Sequence, residues 1–158
     1  MSMLNYAVKM ENDAEKYYQE QAVQFSDTPL QPVFEKLAEA EAKHAKLFTD
    51  FAQDQEVELK IDPNQETLFS NPPTFGDEMM RINEQAEAYR YAQQLEKDAI
   101  LHYEKMLSES TDKKEKELIS FVLEEERNHF TLFSNLASML DRTEDWVEDA
   151  EFGNRPEY

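Results

Sequence analysis

The chain has 158 residues, 35 of them Asp or Glu against 16 Lys or Arg, giving a formal charge of -19, and 40% of it is hydrophobic with 11% aromatic. That length and aromatic content specify one folded domain with a core rather than a disordered chain. The charge argues against nucleic acid and anionic membrane surfaces as partners, and the absence of cysteine excludes disulfides, thiolate nucleophiles, zinc ribbons and iron-sulfur or rubredoxin-type centres. Any metal must therefore be held by carboxylate and imidazole. The stretch Met1 to Lys9 lacks the apolar core of a signal peptide, and no run approaches the roughly 20 apolar residues of a membrane span, so a cytoplasmic location is expected.

With two glycines and six prolines, the punctuation marks long helices. The first is expected from about Ser2 to Phe25. Thr28-Pro29-Leu30-Gln31 reads as a capping box with Pro at the first helical position, opening a second helix, although Pro32 blurs that boundary by a turn. Val33, Phe34, Leu37, Ala38, Glu41, His44, Ala45, Phe48 and Phe51 repeat there with a period near 3.6, and the pattern fades after Gln53. From Asp54 to Gly76 it breaks at Pro63, Pro72 and Pro73, with one cap-like start at Asp62-Pro63-Asn64-Gln65. A third long helix is expected from about Asp77 to Ser110, and Thr111-Asp112-Lys113-Lys114-Glu115 supplies an N-cap with a Glu three residues on for a fourth, reaching about Leu140. The crossover of about 22 residues can extend to about 70 Å, whereas a 24-residue helix is about 36 Å long, so the second and third long helices can run parallel. The fold class is all-α: a ferritin-like four-helix bundle over residues 1–142 with a long crossover near 54–76, and a short acidic C-terminal extension, 143–158, which contains Trp146, Val147, Phe152 and Tyr158 and is expected to dock on this bundle or on a neighbouring subunit.

A shift of 85 positions superposes the two halves without a gap. Tyr6 falls on Tyr91, Glu11 on Glu96, Tyr18 on Tyr103, Glu41 on Glu126, His44 on His129 and Phe48 on Phe133. Two copies make a pseudo-twofold bundle rather than a repeat array. The midpoint between Glu11 and Glu41 is Ser26, and that between Glu96 and Glu126 is Thr111, both at expected turns, so each helical hairpin sets two carboxylates at one height. Each His lies three residues after a Glu, about 60° round the helix, and turns to the same centre. The bundle interior is thus expected to hold Glu11, Glu41, His44, Glu96, Glu126 and His129. Unpartnered, these groups would cost several kcal/mol each or take up protons. Two divalent cations balance the four carboxylates, with neutral imidazoles completing the set, and this ligand pattern defines di-iron or di-manganese carboxylate bundles.

Ala7-x-x-x-Glu11 with Tyr18, Leu37-Ala38-x-x-Glu41-x-x-His44, Ala92-x-x-x-Glu96 with Tyr103, and Glu126-x-x-His129 together resemble the rubrerythrin-type branch of the ferritin-like superfamily. The resemblance implies two irons bridged or nearly bridged by catalytic Glu41 and Glu126, with Glu11 and Glu96 as terminal ligands and His44 and His129 each capping one ion. It also implies reduction of hydrogen peroxide or O₂, or oxidation of Fe(II) by them, in a homodimer. Two departures stand out. Full-length rubrerythrins carry a cysteine-ligated rubredoxin domain, so this chain would take electrons from an external donor protein. Typical members also have a further Glu where this chain has Ala99.

Other readings remain open on the residues alone. Iron sequestration without turnover predicts stoichiometric oxidation only, a metal-free structural bundle predicts that Glu41 and Glu126 are dispensable, and manganese suits the same ligands as iron. Tyr18 and Tyr103, seven residues after Glu11 and Glu96, return to the same face and either bond a ligand carboxylate or pack in the core. His102 aligns with Tyr17 and reads as a surface or satisfied histidine, and Asp13, Glu15, Glu39, Asp98, Glu124 and Glu125 as solvated charges.

Overall fold

The structure is a computed structural model describing residues 1–72 and 81–152, the side chains of 142–152 excepted. In chain order it contains α1 (Met3–Gln24), α2 (Gln31–Ala52), the short α3 (Pro63–Ser70), α4 (Ile82–Glu109) and α5 (Lys113–Phe152), with no strand among the described residues. α1 and α2 form one antiparallel hairpin and α4 and α5 the other, with α1 packed on α4, α2 on α5, and α3 laid against α2 and α5. Side-chain contacts fix the direction. Met3 meets His102, Tyr17 meets Ala88 and Gln24 meets Arg81, so α1 runs antiparallel to α4, which makes α2 and α4 parallel as the crossover length permits.

Each helix is formed and stopped by identifiable groups. Ser2 Oγ accepts from Asn5 N at 3.0 Å to start α1, whose buried stripe Ala7, Glu11, Ala14, Tyr18 and Ala22 follows the helical period. The turn after α1 contains Asp27 at φ 63°, a left-handed conformation that Asp tolerates better than most residues. The capping box is displaced from its expected place. α2 begins at Gln31 with Leu30 as N-cap and Pro32 in the first turn, while Gln31 Oε1 accepts from Asp27 N at 2.8 Å and Thr28 caps the preceding turn. Pro32 can open the helix because its missing N–H would have had no partner there, so the helix begins two residues later than Pro29 suggests.

Asp62 caps α3 by accepting from Asn64 N at 2.9 Å. The expected start of the third long helix near Asp77 lies outside the described residues, and the described helix begins after Arg81, which has φ 70° and donates to Gln24 O at 2.9 Å with its guanidinium 5.2 Å from the Phe25 ring centroid. Asp112 caps α5 through Lys114 N at 2.9 Å. Replacing Asp112 by Ala is expected to cost about 1 kcal/mol, a drop of a few degrees in a thermal melt. α5 does not stop near Leu140 but continues to Phe152, since no Gly or Pro interrupts the sequence before Gly153. The side chains through which the tail 143–158 is expected to dock lie outside the described ones.

The interior is divided by a polar layer. On one side Tyr18, Phe34 and Phe133 stack at centroid distances of 5.9–6.2 Å, with Phe25, Leu37, Tyr89 and Leu132 around them. On the other, Phe48 and Tyr103 pack with Leu118, Ile119 and Val122. The polar layer between these two apolar clusters is the one that the repeat predicts.

Candidate metal centre

Glu11 and Glu96 project from α1 and α4, Glu41 and His44 from α2, and Glu126 and His129 from α5, and all six are 2% exposed or less. The structure brings every one of them to a single centre. His44 Nδ1 lies 3.0 Å from Glu126 Oε1 and 3.5 Å from Glu11 Oε2, while His129 Nδ1 lies 2.9 Å from Glu41 Oε1 and 3.5 Å from Glu96 Oε1. Each imidazole therefore faces the carboxylates of both hairpins. The ligand atoms fall into two groups, Glu11, Glu41, His44 and Glu126, and Glu41, Glu96, Glu126 and His129, each within 4.8 Å and sharing Glu41 and Glu126.

Each of the six also carries one buried polar atom with no hydrogen-bond partner: Glu11 Oε2, Glu41 Oε1, His44 Nδ1, Glu96 Oε2, Glu126 Oε1 and His129 Nδ1. Buried polar atoms are ordinarily satisfied, so an unpaired set converging on one point needs a further partner. Hard oxygen and imidazole donors without sulfur suit iron or manganese.

Without a metal the cluster is balanced by protons. Burial, followed by the charges of Glu11, Glu126 and Glu96, pushes Glu41 well above the carboxylate range, and burial with the Glu126 charge does the same to Glu96. Burial opposes charge on the imidazoles but is outweighed, chiefly by Glu11 at His44 and Glu96 at His129, so both are held protonated above their usual range. Burial also works to raise Glu126, yet the two imidazoles beside it, His129 and His44, prevail and hold it well below.

Tyr18 and Tyr103 do bond the carboxylates, across the pseudo-twofold. Tyr18 donates to Glu96 Oε1 and Tyr103 to Glu11 Oε1, both at 2.5 Å, so each phenol fixes the opposite hairpin's Glu rather than the one seven residues before it. Sequence spacing finds the face but not the partner. His102 is satisfied, donating from Nε2 to Met3 O at 3.0 Å. Asp13, Glu39 and Glu124 are exposed and paired with lysine or arginine, whereas Glu125 departs from its solvated reading and accepts from His44 Nε2 at 2.6 Å. The repeat conceals that role, because the position equivalent to Glu125 is Ala40. On the His129 side the crossover supplies Phe69, edge-on to the ring at 5.4 Å, over a cavity of about 360 Å³.

A helical bundle with a buried carboxylate and histidine cluster that could hold metal has the ferritin-like architecture. The rubrerythrin family model matches residues 2–137, and the chain belongs to the rubrerythrin family. No curated protein and no solved structure matches it significantly. Among the described residues no helix is long and apolar enough to cross a membrane.

Proposed function

We propose that the protein is a non-haem di-iron oxidoreductase that reduces hydrogen peroxide or O₂ in oxidative-stress defence. It works in the cytoplasm as a homodimer, with electrons from a separate donor protein. In this reading residues 1–142 form the di-metal domain and 143–158 a docked tail. The six unpaired atoms in two groups sharing two carboxylates carry the proposal. Glu11 and His44 would hold one ion and Glu96 and His129 the other, with Glu41 and Glu126 between them as the catalytic carboxylates. As Fe(II), the pair would supply the two electrons that reduction of peroxide to water consumes.

The chain's own contribution is positioning. Tyr18 and Tyr103 hold the terminal carboxylates, Glu125 fixes the His44 ring with Nδ1 turned inward, and an apolar cluster bounds the layer on each side. Tyr18→Phe is expected to weaken metal binding by about 10–100-fold, measured by competition with a chelator.

Ala99, buried and apolar where typical members carry a Glu, favours a second reading in which iron is oxidised and retained without sustained turnover. One experiment separates them. Iron per chain is counted after anaerobic Fe(II) loading, and peroxide is then added with and without a chemical reductant. Two irons with continued peroxide consumption support the oxidoreductase, a single stoichiometric oxidation supports sequestration, and no specific uptake leaves a metal-free scaffold, with manganese loading run in parallel.

A further inference from the structure

The pseudo-twofold extends beyond the metal cluster to two aromatic ladders on the α1/α4 face. One runs from Tyr91, 54% exposed, to half-buried Tyr17 at a centroid distance of 4.6 Å, then to buried Tyr18 at 5.5 Å, which donates to Glu96. Its counterpart runs from Tyr6, 43% exposed, to His102 at 4.9 Å, then to Tyr103 at 5.9 Å, which donates to Glu11. Even the backbone anchors correspond. Tyr17 donates to Ala88 O at 3.1 Å and His102 to Met3 O at 3.0 Å, and Ala88 and Met3 are themselves equivalent positions. The ladders differ at the middle rung, a phenol in one and an imidazole in the other.

We propose that Tyr91, Tyr17 and Tyr18 form a one-electron relay between the metal centre and the α1/α4 surface, and that His102 interrupts the equivalent path on the other side. The inference rests on the di-iron reading above. Tunnelling falls steeply with distance, so contacting rings that can each be oxidised carry an electron further than a single jump through aliphatic packing. Phenol oxidises far more readily than imidazole, so only the all-tyrosine ladder is continuous. Reduction of peroxide to water takes two electrons, and where the iron-loaded site provides only one of them, Tyr18 provides the other and passes its phenolic proton to Glu96 Oε1. Tyr17 then reduces the Tyr18 radical, which takes its proton back from Glu96, while half-buried Tyr17 releases its own proton to water; Tyr91 reduces the Tyr17 radical, which takes a proton from water. The radical on Tyr91, its proton lost to solvent, is closed by one electron from a donor in solution and one proton from water. Each turn delivers one electron inward and none is left over.

The test uses the full chain loaded with Fe(II), treated with peroxide in the presence of a nitroso spin trap, with iron content and iron oxidation recorded in the same samples and adducts located by peptide mass spectrometry. The native protein is expected to carry the adduct on Tyr91. Tyr17→His, which copies the rung already accommodated in the other ladder, is expected to lose it while iron uptake is unchanged. His102→Tyr is expected to gain an adduct on Tyr6. Iron oxidation without a Tyr91 adduct, or an adduct indifferent to Tyr17→His, would overturn the relay alone. Absence of iron uptake would overturn the di-iron reading and the relay with it.

Discussion

Holding the metal-free protein anaerobically in excess Fe(II) or Mn(II) is expected to raise its melting temperature by roughly 8–16 °C. Binding to the native state alone at about a thousand times Kd contributes about 4 kcal/mol, and each kcal/mol moves the melt of a chain this size by about 2–4 °C. The expected gain is large because the metal-free cluster is internally opposed. Glu11, Glu41, Glu96 and Glu126 share one buried layer, and each of the six residues keeps an unpaired polar atom in it. The double variant Glu41→Gln/Glu126→Gln removes both shared carboxylates. It is expected to show no shift with metal, because a neutral amide does not replace a carboxylate as the ligand of a divalent cation. Thermal melts of both proteins with and without metal, with metal content determined in parallel, check this. An equal shift in the double variant would place the binding elsewhere on this acidic surface.

The pH dependence supplies the second large effect, and its sign follows from which state holds more protons. His44 and His129 have folded values raised above 6.5, so their stabilisation is complete below that pH and is lost as pH rises through the folded values. Glu41 and Glu96, raised above 4.5, likewise retain protons that the unfolded chain has released, which lowers stability progressively above that pH. Glu126 runs the other way, contributing above 4.5 and losing its contribution as pH falls. Four groups outweigh one. Between about pH 5 and about pH 8 the metal-free protein is therefore expected to become less stable by about 1.4 kcal/mol per pH unit for every net proton retained. Metal reverses the slope, because ions displace those protons and bind more tightly as pH rises. Melts of the metal-free protein and of Glu41→Gln/Glu96→Gln across this range test the point, since both carry nearly the same surface charge. An equal slope in the two would assign the effect to surface repulsion instead of the buried layer.

Much of this architecture can be read directly from the residues. Helical periodicity and the scarcity of glycine give four long helices, and equal spacing of Glu11 and Glu41, and of Glu96 and Glu126, about their turns sets the carboxylates at one level. Those are local and one-dimensional properties, conserved when a hairpin closes. The site residues are legible for the same reason, because a charged side chain on an apolar stripe has few inexpensive places to go.

What depends on the relative placement of the two hairpins was not legible. Sequence shows that Tyr18 and Tyr103 face inward, but only the packing of α1 against α4 sends each hydroxyl to the opposite hairpin's carboxylate. Glu125 looks solvated by its neighbours in sequence, and acquires His44 only when α5 is laid along α2. The start of α2 was decided by which of two nearby prolines could occupy the first turn, and the length of α5 by the absence of any breaker before Gly153. Periodicity and spacing thus determined the helices and the level of the polar layer, because both are set within a single hairpin. Partners across the bundle, and the aromatic ladders that reach its surface, were decided by tertiary packing, because those contacts join residues about 70 to 100 positions apart whose approach no local pattern encodes.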